Sequence, residues 1–199
     1  MKRSFCLLFL LFTVSLMGCM PYVVHDFYSP SAADGVIRKS QCYGASGPPS
    51  VVELKRDDVI IKVSVSERES GIFIFMRLDV PKGKTVRLDS SKIRVSTLSN
   101  TITSDGTLSA EMIIAEPPWK IELKPTENMV GDTKKSNICF FGPCLSNNIF
   151  DLETTITVQK SDAILVHMPR FVINEKNVQL PDILFKKDRF LELFPPINC

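Results

Sequence analysis

The chain has 199 residues, of which 44% are hydrophobic, with 24 Lys+Arg against 22 Asp+Glu, two His and six Cys. That length suffices for one domain with a sizeable core. The near balance of charge excludes the basic footprint of a nucleic-acid binder, and two histidines leave little for imidazole-based catalysis or zinc.

In chain order, Lys2 and Arg3 form a short positive segment, followed by the apolar run Phe5 to Leu16. The run is too short for a membrane-spanning helix, which needs about 20 apolar residues, and suits the core of a signal peptide. It ends in Leu16-Met17-Gly18-Cys19, which resembles the lipobox of bacterial lipoproteins. The resemblance implies cleavage between Gly18 and Cys19 and lipidation of the Cys19 thiol. It also implies a mature protein held on the bilayer by its acyl chains without spanning it. Met20 stands where an Asp would favour retention on the inner membrane, so the expected address is the periplasmic face of the outer membrane. Removing residues 1–18 takes Lys2 and Arg3 away and brings Lys+Arg down to 22, level with Asp+Glu.

Residues 19–49 read as the lipidated N-terminus, a tether and an entry segment, with Pro21, Pro30, Pro48 and Pro49 and scattered Gly and Ser. On this reading His25 lies in the tether. The domain proper is expected over residues 50–199. Val59, Ile61, Val63 and Val65 alternate with Ile60, Lys62, Ser64 and Ser66, and Ile72, Ile74, Met76, Leu78 and Val80 alternate with Phe73, Phe75, Arg77 and Asp79, the period-two pattern of half-buried strands. Val80-Pro81-Lys82-Gly83 predicts a β-turn. Short strands follow at Thr85–Leu88 and Ile93–Leu98, with a hairpin tip expected at Ser104-Asp105-Gly106. Trp119–Leu123, Leu152–Gln159, Ala163–Met168 and Arg170–Ile173 complete the predicted strands, and 125–148 reads as a loop. Residues 181–194 fit either a short helix or two clipped strands. Many short strands at 8–12-residue spacing predict an all-β, immunoglobulin-like sandwich of two antiparallel sheets.

Outside the signal and the anchor stand Cys42, Cys139, Cys144 and Cys199. Four cysteines in an exported chain predict two disulfides with three possible connectivities. The expected pairing is Cys139–Cys144 locally, with Cys42–Cys199 stapling the ends of the domain, the latter contributing about 4–5 kcal/mol by loop closure. Zinc is not expected, because no second close-spaced pair accompanies Cys139 and Cys144.

The search for catalytic motifs finds no G-x-S-x-G, H-E-x-x-H, phosphate loop or EF-hand. His167 alternates with Leu165 on one face of an apolar strand, which reads as a packed or edge residue. Asp57-Asp58 reads as a pair of turn charges. Phe140 and Phe141, at the tip of the Cys139–Cys144 loop, are the residues expected to contact a partner. The functional expectation is a lipid-anchored, non-catalytic binding or scaffold module of an envelope complex, with no cofactor, metal or nucleic acid. The alternatives are a carrier with an apolar cavity and a hydrolase whose site is assembled from scattered polar residues.

Overall fold

The computed structural model describes residues 22–42, 45–98, 103–113, 120–131, 148–158 and 160–193. The alternation that marks the sequence becomes a large antiparallel layer. Its seven strands run β12 (Lys120–Leu123), β11 (Ser109–Ile113), β14 (Asn148–Ile156), β7 (Gly71–Val80), β6 (Val59–Arg68), β5 (Val51–Arg56) and β2 (Val36–Arg38). On β6 and β7 each odd or even set falls on one face: Ile61, Val63, Ile74, Met76 and Leu78 are fully buried, while Phe73, Phe75 and Arg77 face outward. Burying an aliphatic side chain of this size contributes about 1.5–3 kcal/mol, so the pleat itself selects the core face.

The opposing strands form a five-stranded sheet, ordered β1 (Tyr22–Ser31), β18 (Ile183–Leu193), β15 (Ala163–His167), β9 (Lys92–Thr97) and β10 (Thr103–Thr107). A four-stranded sheet runs β13 (Met129–Val130), β8 (Thr85–Leu88), β16 (Phe171–Ile173) and β17 (Lys176–Val178). These two sheets share one bent pair of chain segments. Strands β8 and β9 are separated only by Asp89, Ser90 and Ser91, and β15 and β16 only by Met168, Pro169 and Arg170. The Asp89 N–H donates to the Arg170 carbonyl at 3.0 Å across the bend. Strands that switch sheets at a corner are a standard way to close a two-layer β structure. Inner-face residues of every layer, among them Tyr28, Leu88, Val95, Ile164, Phe171 and Phe185, join β6 and β7 in one hydrophobic core. A small hairpin, β3 (Gln41–Cys42) with β4 (Ala45–Ser46), stands apart.

The architecture is all-β, with several antiparallel sheets, consistent with the sandwich expected from the sequence. The likeness to an immunoglobulin domain rests on that architecture alone.

Three segments differ from their sequence reading. Residues 22–31, placed in the tether, form β1 and pair with β18 over ten positions, from Tyr22↔Leu193 to Ser31↔Leu184. Segment 183–193 is one continuous strand, neither a helix nor two pieces. Ser104-Asp105-Gly106 lies within strand β10, not at a hairpin tip. There a Cβ on Gly106 would collide with the Ile156 side chain, so glycine serves close packing and not a turn. The β6–β7 turn does need its glycine. Gly71 sits at φ +139, where a Cβ would collide with the Ile156 carbonyl.

Candidate functional site

The outward face of the seven-stranded sheet carries a transverse row of charge. Glu53, Lys62, Arg77, Asp151 and Glu111 stand directly opposite one another on successive strands. Arg38 pairs with Glu53 at 2.9 Å, Lys62 with Asp79 at 3.0 Å, and Lys120 with Glu111 at 2.6 Å. Arg77 donates through Nε and Nη2 to both oxygens of Asp151, at 2.7 and 2.8 Å. This bidentate bond, ahead of the opposing desolvation, raises the guanidinium above its ordinary value.

Beside this row the same face is aromatic. Phe73 and Phe75 are neighbours on the outer side of β7, their ring centroids 6.5 Å apart in a stacked arrangement. Both are half-buried. The Arg68 guanidinium lies 3.3 Å from the Phe73 centroid and that of Arg77 lies 5.4 Å from Phe75. The two arginines differ in what else they hold. Arg77 is committed to Asp151, whereas Arg68 is exposed and has no carboxylate partner among the described residues.

The five-stranded sheet carries a second polar row on its outer face. Asp105 of β10 stands opposite Arg94 of β9, and Arg94 opposite His167 of β15. Asp182 precedes β18 beside the same end of β15. Asp105 accepts from Arg94 Nε at 2.8 Å, which holds its carboxyl below the usual range. His167 Nδ1 meets Asp182 Oδ2 at 2.8 Å, and His167 Nε2 meets Ser96 Oγ at 2.7 Å. The alternation of His167 with Leu165 is as the sequence indicates. Its two partners come from positions 71 and 15 residues away, a juxtaposition that no local spacing encodes.

A third feature is a surface depression of about 390 Å³ bordered by Thr85, Arg87, Asn128, Val172, Glu175 and Asn177. Its border is mostly polar, unlike the apolar cavity that a carrier of lipid would need.

Of the residues singled out from sequence, Gly18, Cys19, Cys139, Phe140, Phe141, Cys144 and Cys199 lie outside the described residues. Cys42 lies in β3, its backbone paired with Ala45. His25, placed in the tether by sequence, stands in β1 opposite Phe190. Asp57 and Asp58 form a turn with φ of 47° and 67°. Lys186 and Lys187 lie on β18, between β1 and β15. Among the described residues no cluster of three or more His, Cys, Asp or Glu could hold a metal ion, and no helix is long and apolar enough to cross a membrane.

Fold and sites together define an antiparallel β-sandwich-like domain whose chemistry lies on its open sheet faces. No family model matches the chain, and no curated protein or solved structure is significantly similar to it.

Proposed function

We propose that this is a lipid-anchored envelope lipoprotein, held at the periplasmic face of the outer membrane through Cys19, that acts as a binding module for an envelope protein. The docking surface is the outer face of the seven-stranded sheet around Phe73 and Phe75. The observation that carries this reading is Arg68: its guanidinium lies over the Phe73 ring, 3.3 Å from the centroid, exposed, with no carboxylate partner among the described residues. Arginine and aromatic side chains are enriched among residues that dominate binding energy. An arginine stacked on a ring is already held in place, so little ordering entropy is lost when a carboxylate meets it. The partner is therefore a protein presenting a carboxylate beside apolar side chains. The reading calls for no cofactor and no nucleic acid.

Photo-cross-linking from position 66, on the same face, tests this in living cells. One envelope protein is expected in near-stoichiometric amount, and Arg68→Glu is expected to cut its capture at least about tenfold, since charge reversal opposite a carboxylate costs more than 1.4 kcal/mol. Phe73→Ala is expected to weaken capture without unfolding the domain, because Ile72 and Ile74 hold the core side of β7. Capture that is unchanged in both variants would sink the proposed face. Cys19→Ala is expected to release a folded protein from the membrane, and a variant that stays firmly membrane-bound would refute the anchor.

A further inference from the structure

We propose that Ser96 is a nucleophile for acyl transfer, with His167 as its base and Asp182 orienting the imidazole, at a site on the face of the molecule opposite the docking surface. The three side chains form an unbroken hydrogen-bonded relay, Ser96 Oγ to His167 Nε2 at 2.7 Å and His167 Nδ1 to Asp182 Oδ2 at 2.8 Å. An ionised carboxylate only accepts hydrogen bonds, so Nδ1 carries the proton and donates to Asp182. Nε2 is then an acceptor, and the Ser96 hydroxyl donates to it. That is the protonation pattern a serine nucleophile requires, and the relation of roles defines such a site on any fold.

Ser96 adds a contact that the ion pairs of the row do not need. The transverse row is already paired as Arg94 with Asp105 and His167 with Asp182. Ser96 lies off that row, opposite Leu165, and reaches diagonally to the second imidazole nitrogen. Three elements fix the geometry. Ser96 and His167 are locked by the β9–β15 ladder, and Asp182 is fixed by the Val166↔Ile183 pair that begins the β15–β18 ladder. Rigid strands hold such a constellation better than loops do.

The reaction balances with water as the only co-reactant. Ser96 Oγ bonds to the carbonyl carbon of an ester while its proton passes to His167 Nε2. The bond to the leaving alcohol breaks, and that alcohol takes the proton from His167. Water, giving a proton to His167, then displaces Ser96, which recovers its own. Backbone N–H groups of β9 are used in ladders on both sides, so the developing oxyanion falls to side chains. Two donors flank Ser96 on this face: the Thr103 hydroxyl, directly opposite on β10, and the Arg94 guanidinium, two residues along β9. The site is open, with the His167 side chain 34% and that of Asp182 44% exposed. It can grip little beyond the acyl group itself. The substrate class is therefore an ester displayed on a large or surface-bound molecule, which supplies its binding energy elsewhere.

The test is covalent labelling of the purified full-length protein in detergent with a fluorophosphonate, located by peptide mass spectrometry. Labelling concentrated on Ser96 is expected, absent in Ser96→Ala, and slowed at least about tenfold in Asp182→Asn, given that the equivalent change in a closed triad costs on the order of 10⁴-fold. His167→Gln is expected to slow it similarly while keeping the same thermal midpoint within a few degrees. Lys55→Ala, at an exposed position on β5 of the seven-stranded sheet, is expected to leave labelling unchanged. Labelling of Ser96 no faster than that of other surface serines would overturn the proposal. So would labelling that is indifferent to both Asp182→Asn and His167→Gln in folded protein.

Discussion

Glu67 sits on β6 with its carboxylate between two lysines, Lys160 at 2.6 Å and Lys187 at 3.0 Å. Hydrogen bonds from these two, that of Lys160 foremost, hold its carboxyl below the ordinary glutamate range. A carboxylate depressed in the folded state stabilises the protein above its unfolded value, about 4.3, and loses that contribution as pH falls through the folded value. The thermal midpoint is therefore expected to drop on acidification below about pH 5. Glu67→Gln is expected to flatten part of that slope and to cost about 1 kcal/mol or less at neutral pH, since Lys160 is well exposed. Asp57 and Asp105, also depressed by their hydrogen-bond partners, keep the remaining slope in the variant. A variant whose acid sensitivity matched the wild type would show that this cluster contributes nothing. At this scale the sequence was partly legible. Alternation put Phe73, Phe75 and Arg77 on the face opposite Ile72, Ile74 and Met76, and His167 on one face with Leu165, as found. It could not bring Ser96 and Asp182 to His167, because those contacts depend on which strands become neighbours.

The strands that the sequence announced are those dense in apolar residues, spaced at every second position in β6, β7 and β8 and nearly continuous in β15 and β16. Those it obscured are broken up by polar and charged residues. Strand β1 contains His25, Asp26, Ser29 and Pro30, and β18 carries Lys186, Lys187, Asp188 and Arg189 in an unbroken charged run. Each is a strand because the other is there to pair with it along ten positions. The β16–β17 hairpin shows the converse, a turn whose residues are poorly suited to it. Asn174 and Glu175 occupy φ of 47° and 68°, the left-handed pair of a tight hairpin. Asparagine tolerates this and glutamate does not, at about 1–2 kcal/mol for a residue with a Cβ. Glu175→Gly creates the preferred Asn-Gly turn and is expected to raise stability by about 1 kcal/mol in urea unfolding. No gain, with the hairpin intact, would mean that Glu175 makes a compensating contact at the depression it borders.

Across the whole molecule, the first and last described strands are partners, and β18 lies between β1 and β15 as an interior member of its sheet. A chain ending at Asp182 loses Phe185 from the core and leaves β1 and β15 without their shared neighbour. It is expected to lose cooperative thermal unfolding altogether, as read by circular dichroism. A truncated chain with a sharp transition would show that β18 is dispensable. The same pairing also bears on the proposed anchorage. Only Met20 and Pro21 separate Cys19 from Tyr22, a reach of about 10 Å at full extension, so a domain lipidated at Cys19 would ride close against the lipid surface. The feature has a temporal side as well. Synthesis from the N-terminus delivers β1 first and β18 last, and β1 must wait for nearly the entire sequence before its ladder can form. Long-range pairing of this kind makes folding slow and leaves a strand edge open meanwhile. On the proposed anchorage through Cys19, the start of the chain would be fastened while the domain is still unfinished. Closure occurs only when β18 arrives beside β1, so a chain interrupted before β18 holds no folded domain.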